Sequence, residues 1–160
     1  MFFNHAAWYN APMKVLRTIV LLLLAVLVLW AGIRQTVPPE LPEQELDETG
    51  WYYSVEDVSL YLHLYGTLPS NYITKEEAEE MGWSGGSPDV DFPGYAIGGD
   101  VFGNYEGLLP RSEGRTYREC DIDTLGRESR GPNRLVYSDD GLIFYTEDHY
   151  NSFLQLYPSR

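Results

Sequence analysis

Two short segments carry candidate side chains for proton transfer, one around Glu119 and one around His149. In a predicted strand, side chains alternate between two faces, so Glu119 shares its face with Tyr117 and Asp121. Cys120 faces the opposite way, which indicates core packing rather than thiol catalysis. A carboxylate and an imidazole can act together as general base and general acid. The segments alone also fit a solvated strand face and a structural histidine.

Basic residues are concentrated around the Glu119 segment and shortly after it. From residue 51 onward the chain has eight basic and nineteen acidic residues, a net charge of −11, yet six of the eight basic residues lie between residues 111 and 134. Such a charge excludes a generally basic nucleic-acid binder, so any grip on a phosphate must be local, and arginine suits that role. The alternative is that Asp100, Asp121 and Asp123 pair with these arginines on the surface. Both interpretations can hold together, because acids can also hold catalytic arginines in position.

The N-terminal region has the pattern of an export segment. Residues 19 to 33 carry no charge and follow Lys14 and Arg17, which predicts a signal peptide or signal anchor in residues 1–33. Whether it is cleaved stays open, and residues 15–33 would anchor the protein in the cell membrane if it is not. An acidic, proline-rich linker is predicted for residues 34–50 and a folded domain for 51–160, secreted or extracellular. The only cysteine is Cys120, so the chain forms no internal disulfide.

The domain reads as helices followed by a sheet. Ser54 caps a predicted helix that Gly66 ends, and Thr74 with Glu77 forms a capping box for a second one. Residues 84–99 are rich in glycine and are expected to be mostly loop. Four β-prone runs follow, at 116–122, 134–138, 142–146 and 152–157, with a hairpin signal at residues 140–141. This order indicates an α+β domain.

Residues 60–153 contain a series of motifs: LPSNYITK (68–75), GW (82–83), IGGD (97–100), EG (106–107), LP (109–110), GRTYRE (114–119), NRLVYS (133–138) and TEDHY (146–150). In their order and spacing these motifs resemble the barnase-type microbial ribonucleases. About one extra residue lies between 125 and 130. The resemblance implies N-terminal helices packed on a five-stranded antiparallel sheet, and cleavage of single-stranded RNA through a 2′,3′-cyclic phosphate, with DNA excluded because it lacks the 2′-OH.

The same resemblance assigns roles to individual residues. Glu119 would be the general base and His149 the general acid, with Tyr150 in the wall of the site. The cations that would stabilise the phosphorane are Lys75, Arg130 and Arg134. No metal and no cofactor is expected. The extra residue leaves the register of the first arginine open between Arg127 and Arg130, and we favour Arg130 because it stays closest to Arg134.

A loop for guanine binding is also implied, but it departs from the family pattern. Asn104 and Glu106 fit the pattern, whereas Tyr105 stands where barnase has an arginine and Gly103 replaces a serine. Backbone N–H donors survive substitution, and Glu106 can still accept from the guanine N1 and N2 hydrogens. We therefore expect a guanosine preference that is weaker than in the family.

Two other functions stay open at this point. The acidic surface would also suit a membrane-tethered interaction module that kept the fold without catalysis, although the retained Glu119, Lys75, Arg134 and His149 argue against it. The third interpretation is a toxin domain aimed at competing cells, with a barstar-like protein inhibitor as its partner.

Overall fold

The computed structural model describes residues 19–23 and 46–160, and the chain divides into two units, residues 1–44 and 45–160. In the first unit, residues 19–23 are helical. Among the described residues, no helix has both the length and the apolar character needed to cross a membrane. Most of the predicted export segment and of the linker lies outside the described residues, so those predictions stay as they are.

Both predicted helices are present and both caps are confirmed. Helix α1 spans Val55–Tyr65, where the Ser54 hydroxyl accepts from the backbone N–H of Asp57 and Gly66 closes the helix at φ 72°. Helix α2 spans Lys75–Glu80 and begins with the reciprocal Thr74 and Glu77 capping box. The capping box fixes Lys75 as the first residue of α2, and Lys75 is therefore held at a helix N-terminus.

The sheet has six strands, so the expectation of five is wrong by one. Its strands are β1 Tyr72–Ile73, β2 Ala96–Phe102, β3 Tyr117–Asp121, β4 Arg134–Ser138, β5 Ile143–Thr146 and β6 Leu154–Tyr157, with a 3₁₀ turn at Pro88–Val90. They lie side by side in chain order; β2 to β6 pair antiparallel, and the two-residue β1 pairs parallel with β2. The hairpin predicted at residues 140–141 joins β4 to β5.

The glycines of β2 made this strand look like a loop in the sequence. The loop predicted for residues 84–99 is therefore wrong over residues 96–99. The Ala96 N–H donates to the carbonyl of Asn71, which starts the pairing with β1. A Cβ on Gly98 would lie 2.6 Å from the Cβ of Cys120, so only glycine lets β2 and β3 approach closely here. Gly99 has φ 96° and lies in the register shift between Gly98 and Asp100. Such a bulge cannot be recognised from local propensity.

The main core lies between α1 and one face of the sheet. It contains Val58 and Leu62 of α1 and Cys120, Leu135 and Ile143 of the strands, all nearly inaccessible to solvent. The interpretation of Cys120 as a packing residue is confirmed, and burial raises the pKa of its thiol. This layer fixes β3 and β4 from behind, and their opposite side chains are therefore held in defined positions.

The other face of the sheet carries a second apolar cluster instead of open solvent. Tyr117 is only 5% exposed and packs with Val136, Leu142, Phe144 and Leu109. The alternative of a solvated strand face is therefore wrong, because the segments after β2 and β5 fold back over the sheet.

Residues at the end of the predicted linker are bonded to α1. The Tyr61 hydroxyl donates to the carbonyl of Glu48, and the Tyr65 hydroxyl donates to the carbonyl of Leu46. Tyr52 reaches the carbonyl of Asp47 in the same way. Residues 46–48 thus pack against the domain that was expected to begin at residue 51.

Candidate active site

Four charged side chains of the candidate site share one face of the sheet because of strand register. Asp100 of β2 lies opposite Glu119 of β3, and Asp121 of β3 lies opposite Arg134 of β4. Cross-strand partners point to the same side, and residues i and i+2 do as well. The fold therefore gathers three carboxylates and an arginine that are separated in sequence.

Glu119 accepts a hydrogen bond on each carboxylate oxygen. The ammonium of Lys75 lies 2.9 Å from Oε1, and the Tyr150 hydroxyl donates to Oε2. Burial alone would raise the pKa of Glu119, but the hydrogen bonds from Tyr150 and Lys75 and the charges of Lys75 and Arg134 outweigh it, so the pKa is lowered. Glu119 is thus an ionised proton acceptor at neutral pH.

Asp100 positions Lys75 at the start of α2. Its Oδ2 accepts from the backbone N–H of Lys75 at 3.2 Å and lies 3.6 Å from the Lys75 ammonium. A carboxylate at a helix N-terminus is favourable because the free N–H groups there carry partial positive charge. Asp100 therefore holds both the helix start and its lysine towards Glu119.

Asp121 holds two arginines from below the site. Arg130 makes a bidentate pair with it, at 2.6 and 2.8 Å, and the Nε of Arg134 lies 2.9 Å from Oδ1. Burial raises the pKa of Asp121, while the Arg130 hydrogen bonds and the Arg134 charge act against this. Arg130 also lies over the Trp83 ring, 5.9 Å from its centroid.

The alternative that Asp121 pairs with these arginines on the surface is right about the pairing and wrong about the surface, because the Asp121 side chain is 1% exposed. Arg134 is buried beside it and donates from one terminal nitrogen to the carbonyls of Arg130, Gly131 and Asn133. The sequence had allowed that such acids hold the arginines in position, and Asp121 does so for Arg130 and Arg134.

His149 sits in a strained turn between β5 and β6. Both His149 (φ 55°) and Tyr150 (φ 74°) have left-handed backbone conformations, which cost about 1–3 kcal/mol each. The carboxylate of Asp148 compensates by accepting from the Thr146 hydroxyl, the Asn151 and Ser152 backbone N–H groups and the Ser152 hydroxyl. These bonds, led by those from Ser152, lower the pKa of Asp148 to about 2. The turn leaves the His149 side chain exposed.

The Asn104 side chain closes the 103–109 loop. The Asn104 side chain donates to the carbonyl of Leu109 and accepts from its N–H, both at 3.0 Å. Tyr105 is 88% exposed, and a Cβ on Gly103 would collide with its ring. The Tyr105 ring thus occupies the space that a Cβ at residue 103 would take, and being exposed it could turn away from one. Glu106 is exposed.

One cleft of ≈ 640 Å³, here called the main cleft, brings these side chains together. The residues that line it include every site residue predicted from the sequence: Lys75, Asn104, Tyr105, Glu106, Glu119, Arg130, Arg134, His149 and Tyr150. Arg127 lies in a different depression, with Asp57 and Asp123. Of the two candidates for the first arginine, Arg130 is therefore the one that lines the main cleft. Among the described residues, no three acidic, histidine or cysteine side chains form a group that could hold a metal ion.

The chain is similar to known ribonucleases. The family model described as ribonuclease matches residues 56–157. A ribonuclease of Heyndrickxia coagulans is 48% identical over 103 residues, which cover 63% of this chain and 94% of the relative. A ribonuclease of Bacillus intermedius is also 48% identical over 103 residues, but the match spans only 63% of that protein's length. The guanyl-specific ribonuclease St of Saccharopolyspora erythraea is 46% identical over 59 residues, 37% of this chain and 58% of the relative.

Proposed function

This chain belongs to the ribonuclease family, and on that premise we propose that it is an extracellular endoribonuclease that cleaves single-stranded RNA by transphosphorylation, with a preference for guanosine. The observation that carries the proposal is the main cleft, where an ionised carboxylate, an exposed imidazole and three cations face the same space. This set of side chains is suited to binding and cleaving a phosphodiester.

In the first step, Glu119 takes the proton from the ribose 2′-OH, and the 2′-oxygen attacks phosphorus. His149, as imidazolium, gives its proton to the departing 5′-oxygen, so the P–O5′ bond breaks as the P–O2′ bond forms. The products are a 2′,3′-cyclic phosphate and a free 5′-OH. Each proton transfer typically contributes about 10²–10⁴-fold to the rate.

In the second step the roles are reversed. His149, now neutral, takes a proton from water as the water oxygen attacks phosphorus. Glu119, now protonated, returns its proton to the 2′-oxygen as the P–O2′ bond breaks, and the product is a 3′-phosphate. Both residues end in their starting states. Lys75, Arg130 and Arg134 stabilise the negative charge that develops on the phosphorane oxygens, and the arginines are preorganised because Asp121 already holds them.

Base recognition is proposed for the 103–109 loop. The exposed Glu106 carboxylate can accept from guanine N1 and N2, while Asn104 keeps the loop in shape through Leu109. The match to a relative described as guanyl-specific supports this proposal. Tyr105 provides an exposed aromatic surface at the same place, on which a base can stack.

The extracellular location is proposed from the uncharged run at residues 19–33 and its preceding basic residues, Lys14 and Arg17. Membrane anchoring by residues 15–33 and a barstar-like inhibitor stay predictions from sequence.

Activity can be tested on residues 45–160 alone. This part of the chain is a separate compact unit, and the matched 103 residues account for nearly the whole of the Heyndrickxia coagulans relative. The purified domain should degrade single-stranded RNA in excess EDTA and leave 2′,3′-cyclic ends at early times. Activity that disappears in EDTA and returns with a divalent ion would contradict the mechanism. RNA binding without cleavage would favour the interaction module.

Two further measurements test the assigned residues. Glu119→Ala and His149→Ala should each reduce kcat/KM by orders of magnitude, and the double variant should lose little more, because the two residues act as a unit. Among dinucleotides, those with guanosine on the 5′ side of the scissile bond should be cut fastest. Equal rates for guanosine, adenosine and cytidine there would refute the proposed preference.

A further inference from the structure

A second cleft of ≈ 510 Å³, here called the side cleft, adjoins the main cleft. Residues 102–105 line both clefts, so the 103–109 loop contributes to the wall between them. The rest of the side cleft is formed by Val101, residues 111–112 and residues 115–117. Its volume is within the range of small-ligand sites, and none of the proposed catalytic residues lines it.

The lining of the two clefts is richer in basic residues than the rest of the domain. Five of the eight basic residues from residue 51 onward line one or other cleft, whereas only two of the nineteen acidic residues, Glu106 and Glu119, do so. No aspartate or glutamate lines the side cleft, which contains two arginines. Carboxylates pair with four of these five cations, as Asp100 does with Lys75, Asp121 with Arg130 and Arg134, and Asp140 with Arg115. The clefts therefore attract a polyanion at individual cations rather than along a continuous positive path.

The two arginines of the side cleft differ in how many of their N–H donors already bind other groups of the protein. Arg115 is held by the Asp140 carboxylate at 2.6 Å and donates to the carbonyl of Pro110. Arg111 is exposed and makes one hydrogen bond, from a terminal nitrogen to the carbonyl of Asn104 at 3.3 Å, with no carboxylate partner among the described residues. Its guanidinium passes beside Gly107, where a Cβ would lie 3.2 Å from it. Arg111 therefore keeps most of its donors for a ligand.

We propose that the side cleft is a subsite for the nucleotide that precedes the cleaved nucleoside on its 5′ side, and that Arg111 contacts the phosphodiester joining the two. This inference rests on the proposed function. The direction follows from the shared wall: the side cleft adjoins the loop proposed to hold the base of the cleaved nucleoside. The leaving nucleotide on the 3′ side departs past His149, which lines only the main cleft.

The test compares three substrates for the purified domain at 0.05 M NaCl: a dinucleotide, the same dinucleotide with one more nucleotide on the 5′ side, and one with it on the 3′ side. For the wild type, the 5′ addition should raise kcat/KM about fivefold, as expected for one partly solvated charge contact. Arg111→Gln should reduce that ratio to about one, and Arg111→Lys should retain most of it. Arg127→Gln is the matched control, because it removes one charge outside both clefts.

The outcomes separate this inference from the proposed function. No cleavage of any substrate would refute the proposed function itself. Cleavage of the dinucleotide without a gain from the 5′ addition, or an equal loss of the gain in the Arg111→Gln and Arg127→Gln variants, would overturn the subsite. A gain that depends on Arg111 but arises only from the 3′ addition would overturn the direction. Thermal unfolding of each variant checks that the exposed substitutions leave the fold intact.

Discussion

The hydrogen bonds to Glu119 predict how the enzyme loses activity at low pH. Glu119 acts as a base only when ionised, and its pKa lies below the ordinary value of 4.5 because Tyr150 and Lys75 outweigh the effect of burial. Activity should therefore persist below that pH and fall as the pH drops through the lowered pKa. Removing either partner leaves burial less opposed, which raises the pKa and moves this acid limb to higher pH.

The size of each shift follows from the contact that is removed. Lys75 lies 2.9 Å from the carboxylate but its side chain is 40% exposed, so water screens the pair and about 1 kcal/mol remains. At about 1.4 kcal/mol per pKa unit, Lys75→Gln should move the acid limb up by about 0.7 units. Tyr150→Phe removes a half-buried hydrogen bond to a charged group, worth about 1.5–3 kcal/mol, and should move it by about 1–2 units.

The assay is kcat/KM for a dinucleotide between pH 3 and 8 at constant ionic strength, because that quantity reports ionisation of the free enzyme. Lys75→Gln should also reduce the maximal rate, since a cation is lost from the phosphate site. Lys75→Arg should keep the acid limb near that of the wild type, and Arg127→Gln should leave it unchanged. An acid limb that stays in place in both Lys75→Gln and Tyr150→Phe would refute the assignment of Glu119 as the base.

Three other predictions follow from the charges around the cleft. Asp121→Ala leaves Arg130 and Arg134 without their shared carboxylate, so the free energy of unfolding in urea should fall by about 3–5 kcal/mol and kcat should fall as well. A stable, fully active variant would contradict the role of Asp121 in holding these arginines. Asp148→Ala removes the hydrogen bonds that hold the strained turn and should lower kcat more than it raises KM for a dinucleotide. Unchanged kinetics would show that the turn keeps its conformation without Asp148. Because seventeen of the nineteen acidic residues lie outside the two clefts, initial rates on long RNA should rise between about 0.01 and 0.1 M NaCl, as the Debye length falls from about 30 to 10 Å, and then decline. A steady fall from the lowest salt would refute that explanation.

The departures from sequence-based expectation all involve partners far apart in the chain. Strand β2 forms because Ala96 meets Asn71 and because Gly98 lets Cys120 approach, and neither contact leaves a local pattern. The pairing of Asp121 with arginines was open from the sequence, but its burial beneath Arg130 and Arg134 depends on the fold. The choice between Arg127 and Arg130 also needed the fold, since one extra residue shifts the register and only packing shows which arginine reaches the cleft.

The sequence by itself determined what depends on neighbours within a few residues. Helix caps, strand alternation and the β4–β5 turn are decided by side chains and backbone groups that are close along the chain, so Ser54, Thr74 and the opposite faces of Glu119 and Cys120 could be predicted. Only the tertiary structure decided how the base is tuned. Lys75 is 44 residues and Tyr150 31 residues from Glu119, and the pKa of a partly buried carboxylate depends on what the fold brings to it.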